Sequence, residues 1–222
     1  MASQSKTEAR RSKILKAAQK VFAHKGFHDA TIAEIARAAG VSEGSIYEYF
    51  SSKEGVLFAI PLEVTRESHE LSQVHLSLIR GAANRLRALV YMYLSLYESN
   101  PDYSSVILLT LKQNQKFRET EAYEMIRDGF RNITAIIKSG MANGEFRPDI
   151  NPYVVRSVLM GAVDHLTTNW LMDGRRGSLT ELVDPVLDVV MEGVLTKDPR
   201  SASDLHWSAW QRTGRASGPQ EA

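Results

Sequence analysis

TIAEIARAAGVSEGSIYEYFSSK, residues 31–53, decides how this chain is read. Thr31-Ile32-Ala33-Glu34 has the form of a capping box, in which a hydroxyl and a carboxylate each satisfy one orphan backbone N–H of a helix start. Ile32, Ile35, Ala36 and Ala39 recur at helical spacing and form the inner face of that helix. Gly40 breaks it and supplies a turn at positive φ. Ser42 is a good N-cap for a second helix, expected to end near Phe50. Ala36 is small where the two helices cross closely, and Ile35, Val41 and Ile46 fill the space between them. Ile46 and Phe50, four apart, face inward toward Val21 and Phe22 of the preceding helix.

Two short helices joined by a tight glycine turn make a helix-turn-helix, a motif whose second helix enters the DNA major groove. The outer part of that helix carries Glu43, Gly44, Ser45, Tyr47 and Glu48. A solvated helix surface is normally richer in Lys, Glu and Gln, whereas Gly, Ser and an exposed Tyr suit close approach to a duplex. The bland alternative is a helical hairpin inside a larger core.

Working outward, helix 1 is predicted from about Thr7 to Lys25, with Ile14, Leu15, Ala18, Val21 and Phe22 on one face and Gly26 as its C-cap. A long helix from Lys53 is predicted to reach Leu78, with Pro61 as a kink. Further helices are expected over 82–98, 102–114, 120–142 and 152–172. Asn100-Pro101 and Asn151-Pro152 are N-cap and proline starts. Ser178-Leu179-Thr180-Glu181 reads as a second capping box opening a last helix to about Leu195, although Pro185 inside it implies a kink or a later start. The fold class is therefore all-α: a helix-turn-helix domain at 1–53, an effector-binding and dimerisation bundle at 54–196, and a flexible tail at 197–222. Trp207 and Trp210 are odd in such a tail and are expected to pack back on the body as a short helix, with a docking patch as the alternative.

Composition limits the function classes. Of 222 residues, 43% are hydrophobic and 24% charged, ordinary values for a globular chain with a real core. There is no cysteine, which excludes thiolate chemistry and fits a reducing cytoplasm, the expected location. Met1 to Arg11 is polar and lacks the apolar region of a signal peptide, and no apolar run approaches the roughly 20 residues that span a bilayer, so no membrane partner is expected. Net charge is +1, but residues 1–53 hold nine Lys/Arg against five Asp/Glu, or +4, leaving 18 against 21, or −3, for the rest. A basic module on an acidic body suits a phosphate partner, though a solvated helix surface would read the same way. No glycine-rich phosphate loop, nucleophile elbow or His-Glu-x-x-His pattern is present, so no enzyme activity, cofactor or metal site is expected.

From about Arg10 to Leu57 the chain resembles the DNA-binding domain of the TetR family of regulators. The residues that carry this are Ile14, Leu15, Ala17, Ala18 and Phe22, then Gly26-Phe27, Thr31-Ile32, Ile35-Ala36 and Ala39-Gly40-Val41-Ser42. Gly44-Ser45-Ile46-Tyr47-x-Tyr49-Phe50 and Lys53-Glu54-x-x-Leu57 complete it. The resemblance implies double-stranded operator DNA as a partner. Thr31, Tyr47 and Lys53 would meet phosphates, and Ser42, Gly44 and Ser45 would lie at the groove. Tyr49 is either a contact or a structural neighbour of Phe50. Glu48 would accept from a cytosine amino group or repel phosphate, and Arg37 is a phosphate candidate or a free surface residue.

The family also implies a homodimer and a small hydrophobic effector. Val154, Val155, Val158, Leu159, Ala162, Leu166 and Trp170 on one helix, with Leu182, Val186, Leu187, Val190 and Val194 on the last, are the expected dimer interface. Burial inside the monomer is the alternative. A dimer would set two recognition helices roughly 34 Å apart. Tyr93, Leu94, Tyr97, Leu108, Leu109, Tyr123, Ile126, Phe130 and Met160 are the expected effector-pocket liners. The stretch from Leu108 to Asp164 is similar, less specifically, to acyl-CoA-sensing regulators of fatty-acid degradation, through Leu111-Lys112-x-Asn114, Phe117, Glu121-Ala122-Tyr123, Ile126-Arg127, Gly144-x-Phe146-Arg147-Pro148 and Gly161-Ala162-Val163-Asp164-His165. On that resemblance Lys112, Lys116, Arg118, Arg127 or Arg131 would meet CoA phosphates, and Asp164-His165 would be a polar pair of the pocket. The expected function is a repressor released from a palindromic operator by a small hydrophobic effector such as a long-chain acyl-CoA. A drug- or other lipophile-sensing repressor is the alternative; a non-DNA scaffold is disfavoured by the intact Ser45, Tyr47 and Lys53.

Overall fold

Capping chemistry sets the helix boundaries. The computed structural model describes residues 2–195, with side chains described over 6–64 and 75–195. The expected tail at 197–222, with Trp207 and Trp210, lies outside the described residues. Helix α1 runs Ala2–Asp29, longer than predicted at both ends. Gly26 breaks its path at φ 78° rather than ending it, and one more turn places the Phe27 ring 5.6 Å from that of Phe22. Thr31 caps α2 (Ile32–Ala39) with both halves of the predicted box, and Gly40 closes it in the left-handed conformation at φ 60°. Ser42 caps α3 (Glu43–Tyr47), and the turn continues to Phe50, whose N–H reaches Ile46 O at 3.0 Å. Ser52 caps α4 (Lys53–Leu78), which passes through Pro61.

Helices α1 to α3 and the start of α4 enclose one end of the core. Ile14, Leu15, Ala18 and Phe22 of α1 are buried with Ile35, Ala36, Ile46 and Phe50, and with Val56, Leu57 and Ile60 of α4. Arg11 bridges α1 to α4 through Glu63 and lies over the Phe50 ring.

The rest is a bundle of α5 (Ala82–Ser99), α7 (Glu121–Ala142), α8 (Pro152–Met172) and α9 (Val183–Val194). The predicted helix over 102–114 is the main departure. It is α-helical only over Pro101–Ser105, here α6, and widens into a π-helical turn over Val106–Leu111 that Lys112 N closes on Ile107 O. A short 3-10 turn, Lys116–Glu119, links it to α7. At the other end the later start applies. Thr180–Leu182 is a 3-10 turn, and Pro185 falls in the first turn of α9, where a missing N–H costs nothing.

Two contacts fix the bundle. Glu145 accepts from Ala82 N at 2.6 Å and Ala83 N at 2.8 Å, capping α5, whose own N-cap residue, Gly81, has no side chain to do so. At Gly140 a Cβ would stand 2.4 Å from the Phe146 ring and 2.8 Å from Ala82, so only glycine allows this crossing. Among the described residues there is no strand, only an isolated bridge between Phe146 and Leu195.

Candidate functional site

The reading head presents a polar surface at the starts of α2 and α3. Thr31 is exposed; its Oγ1 accepts from Glu34 N at 3.2 Å, leaving its O–H proton free to donate. Glu34 is held below the usual carboxylate range, first by the Lys25 ammonium and then by the Thr31 N–H. Ser42 Oγ accepts from Ser45 N at 3.2 Å and donates to Ser45 Oγ at 3.1 Å. Gly44 and Glu48 are exposed, and Tyr47 is 54% exposed. A Cβ on Gly44 would meet nothing nearer than Ser42 Oγ at 3.8 Å, so packing within the chain does not require glycine there. Arg37 is exposed and has no ion-pair partner among the described residues.

Three expected DNA residues are turned toward the protein in this structure. Ser45 is buried. Tyr49 is half-buried with its ring 6.3 Å from Phe50. Lys53 donates to Ala30 O at 2.7 Å and His28 O at 3.1 Å, with its ammonium 4.7 Å from the Phe27 ring. It locks the start of α4 to the loop before α2.

Between α5, α7, α8 and the π turn lies a cavity of about 670 Å³. Of the expected liners it gathers Tyr93, Tyr97, Lys112, Tyr123, Ile126, Phe130 and Met160. Leu94 and Leu108, both buried in the core, and Leu109, Arg127 and His165 are not on its walls. The π turn shifts the register so that Ile107 and Leu111 face in and Leu109 faces out. Arg127 is on the solvent side with Glu124, at 2.7 Å, and Arg131 pairs with Asp128. His165 bonds Asn169 on the surface, because neighbours on a helix point about 100° apart and only Asp164 faces inward. Lys116 pairs with Glu54 of α4 at 3.1 Å, which leaves Lys112 and Arg118 as the basic residues on the wall.

Of the expected polar pair, Asp164 is on the wall and His165 is not. Further wall residues were outside the expected set: Met92, Leu96, Tyr103, Ile107, Leu111 and Phe117 among them. Leu111 and Phe117 stood in the matched stretch, but no sequence signal separates a cavity-facing apolar residue from a core one. Phe117 is buried, lines the cavity, and stacks 5.8 Å from Phe58 of α4 and 5.9 Å from Tyr123. Burial first, and the Asp164 carboxylate second, push the Tyr93 phenol up to about 12 and Tyr97 well above its ordinary value.

The expected dimer residues divide. Val155, Leu159, Leu187, Val190 and Val194 are buried within the monomer, and Ala162, Leu166, Trp170, Leu182 and Val186 are half-buried. Helices α8 and α9 are apolar on two faces, and the pattern alone does not say which faces inward. Of the expected residues Val154 and Val158 point outward, as do Met172 of α8 and Val189 of α9, the last 77% exposed. No helix among the described residues is long and apolar enough to cross a membrane, and no group of three or more His, Asp or Glu that could hold a metal ion occurs among them.

Comparison with known proteins agrees with both halves. Residues 14–60 match the bacterial regulatory proteins of the tetR family, and residues 69–193 match the C-terminal region of YsiA-like proteins. The chain is 26% identical over 184 residues to the fatty acid metabolism regulator protein of Bacillus subtilis, covering 83% of this chain and 95% of that one. It is 29% identical over 210 residues to the transcriptional regulator HbdR of Aromatoleum, covering 89% and 90%. The crystal structure of the regulator FadR from Bacillus subtilis in complex with stearoyl-CoA superposes with a TM-score of 0.77 at 26% identity, covering 82% of this chain and 98% of that one. This chain belongs to the tetR family of bacterial regulatory proteins, with a YsiA-like C-terminal region, and is a DNA-binding transcriptional regulator.

Proposed function

We propose that the chain is a homodimeric repressor that leaves a palindromic operator when a long-chain acyl-CoA fills the cavity. One observation carries the effector: a preformed, mostly apolar space of about 670 Å³, in a chain that shares its fold and 26% of its residues with a regulator crystallised with stearoyl-CoA. That volume falls in the range of small-molecule sites, roughly 300–1,000 Å³. An acyl chain would lie along Leu111, Phe130 and Met160, and Arg118 would face the anionic end, Lys112 being held by Asp164.

Residues 1–53 would bind DNA and 54–196 would bind effector and partner. The outward valines of α8 and α9 support pairing through that face, since large apolar residues on one contiguous surface favour burial against a second copy. Thr31, Ser42, Gly44 and Tyr47 would contact DNA directly, with Arg37 and Glu48 at the margin. Lys53 and Ser45 would act by holding α3 and α4 in place.

Release needs an effector that binds the non-operator state more tightly. Phe117 supplies a route. A ligand pressing on it moves Phe58 and the Glu54–Lys116 pair, both at the start of α4 beside the reading head.

Fluorescence anisotropy on DNA from the promoter of the protein's own gene, with oleoyl-CoA or free oleate, tests this. Specific binding released by the thioester supports the reading; specific binding untouched by either removes acyl-CoA as effector.

A further inference from the structure

Four polar groups of the cavity, Lys112, Asp164, Tyr93 and Tyr97, lie near one another, close enough for the Asp164 charge to act on both phenols. Lys112, at the end of the π turn, pairs with Asp164 Oδ2 on α8. The second carboxylate oxygen, Asp164 Oδ1, is buried and has no hydrogen-bond partner. Tyr93 and Tyr97 sit one turn apart on α5, their rings 6.4 Å from each other, and neither hydroxyl has a hydrogen-bond partner among the described residues. Both phenols stay protonated at neutral pH and are therefore donors as well as acceptors. This group thus combines unused O–H donors with one unused anionic acceptor, in a cavity that is mostly apolar.

A plain hydrocarbon chain would cover these atoms and leave them unsatisfied, which is the costly outcome for buried polar groups. A ligand carboxylate would be repelled by Asp164, and a ligand cation would compete with Lys112. A neutral group that both donates and accepts fits these side chains. It can donate to Asp164 Oδ1 and accept from Tyr97 or Tyr93. The terminal torsion of an aspartate is broad, so a small rotation of the carboxylate exposes Oδ1 to such a group.

The geometry points to Asp164, with Tyr93 and Tyr97, as a specificity site for a neutral donor–acceptor group next to the acyl chain of a thioester ligand. This rests on the acyl-CoA reading above. Two parts of such a ligand carry that chemistry: a hydroxyl on the chain, as in a 3-hydroxyacyl thioester, or an amide of the pantetheine arm.

Isothermal titration calorimetry on the full chain, with stearoyl-CoA and 3-hydroxystearoyl-CoA, separates them. Wild type, Asp164→Leu, Asp164→Asn and Tyr97→Phe are compared once a thermal unfolding curve has shown that each is folded at the titration temperature. Asp164→Asn keeps the shape of the side chain and serves if Asp164→Leu does not fold. A chain hydroxyl as the group predicts at least tenfold preference of the wild type for the hydroxylated ligand, abolished in Asp164→Leu and reduced in Asp164→Asn and Tyr97→Phe. A pantetheine amide predicts equal affinities in the wild type and at least tenfold weakening of both ligands in Asp164→Leu. Affinities within twofold of wild type in the Asp164 variants would overturn the assignment and leave the acyl-CoA reading standing. No binding of either thioester to the wild type would overturn both.

Discussion

The reading head and the effector half are both helical and both built on apolar stripes, yet they are specified at different ranges. In the head, the starts of α2, α3 and α4 are capped from within by Thr31, Ser42 and Ser52, and Gly40 turns the chain where one residue in the left-handed conformation suffices. In the effector half, α5 is capped by Glu145, more than sixty residues away, and Glu98 at its other end accepts from Ser178 Oγ and Thr180 N, both at 3.1 Å. The head closes its apolar residues on one another. The effector half leaves a space among its own, open to a ligand.

That difference is open to direct attack. Ile46 is fully buried in the head, and Ile107 is buried but stands on the cavity wall. Ile46→Ala should cost about 4 kcal/mol and abolish operator binding, whereas Ile107→Ala should cost about 2 kcal/mol, because one side of it already lacks packing partners. Urea unfolding of both variants checks this, and equal losses would mean the cavity wall packs as tightly as the head.

Gly44→Ala comes next in size. A methyl group has room in the free protein, and alanine is the better helix former, so stability should rise by about 0.5–1 kcal/mol. Operator affinity should fall by about tenfold if the glycine serves close approach of DNA. An unchanged affinity would show that this surface stays clear of the duplex.

Tyr47→Phe removes only a hydroxyl from an exposed ring. Operator affinity should drop about fivefold, in the range of one hydrogen bond to a charged group, with thermal stability unchanged. Full affinity in this variant would take Tyr47 off the contact surface.

The smallest effect concerns pH. Tyr93 titrates near 10 in an unfolded chain and near 12 when folded, so the folded state holds the proton more tightly. Its contribution to stability is complete below pH 10 and is lost as pH rises from 10 toward 12. Tyr93→Phe should flatten that part of the stability profile, and an identical slope in the variant would place the phenol in water.

The sequence made the head legible because its determinants are local. The capping box at Thr31, the turn at Gly40 and the inward pair Ile46 and Phe50 all lie within twenty residues and appear as read. Helix existence in the effector half was equally legible from Asn151-Pro152 and from the apolar periods. Facing was not. Leu109 pointed out because of a π turn that no residue in VILLTL announces, and Val155 and Leu159 went inward because α8 is apolar on both sides. Lys53 matched the family pattern for a phosphate contact, yet its ammonium lies on the carbonyls of His28 and Ala30, a placement that depends on the extra turn after Gly26. Asp164 and His165 are adjacent in sequence and separate in space for the elementary reason of helical geometry.

The most direct test of the account is to form the complex with promoter DNA and titrate it with stearoyl-CoA while following anisotropy. The account predicts sequence-specific binding that weakens steeply with salt and a return to the free-DNA value as the thioester is added, with Phe117→Ala binding the thioester but releasing DNA poorly. A complex that keeps its full anisotropy at saturating thioester, with the ligand shown by calorimetry to be bound, would contradict it.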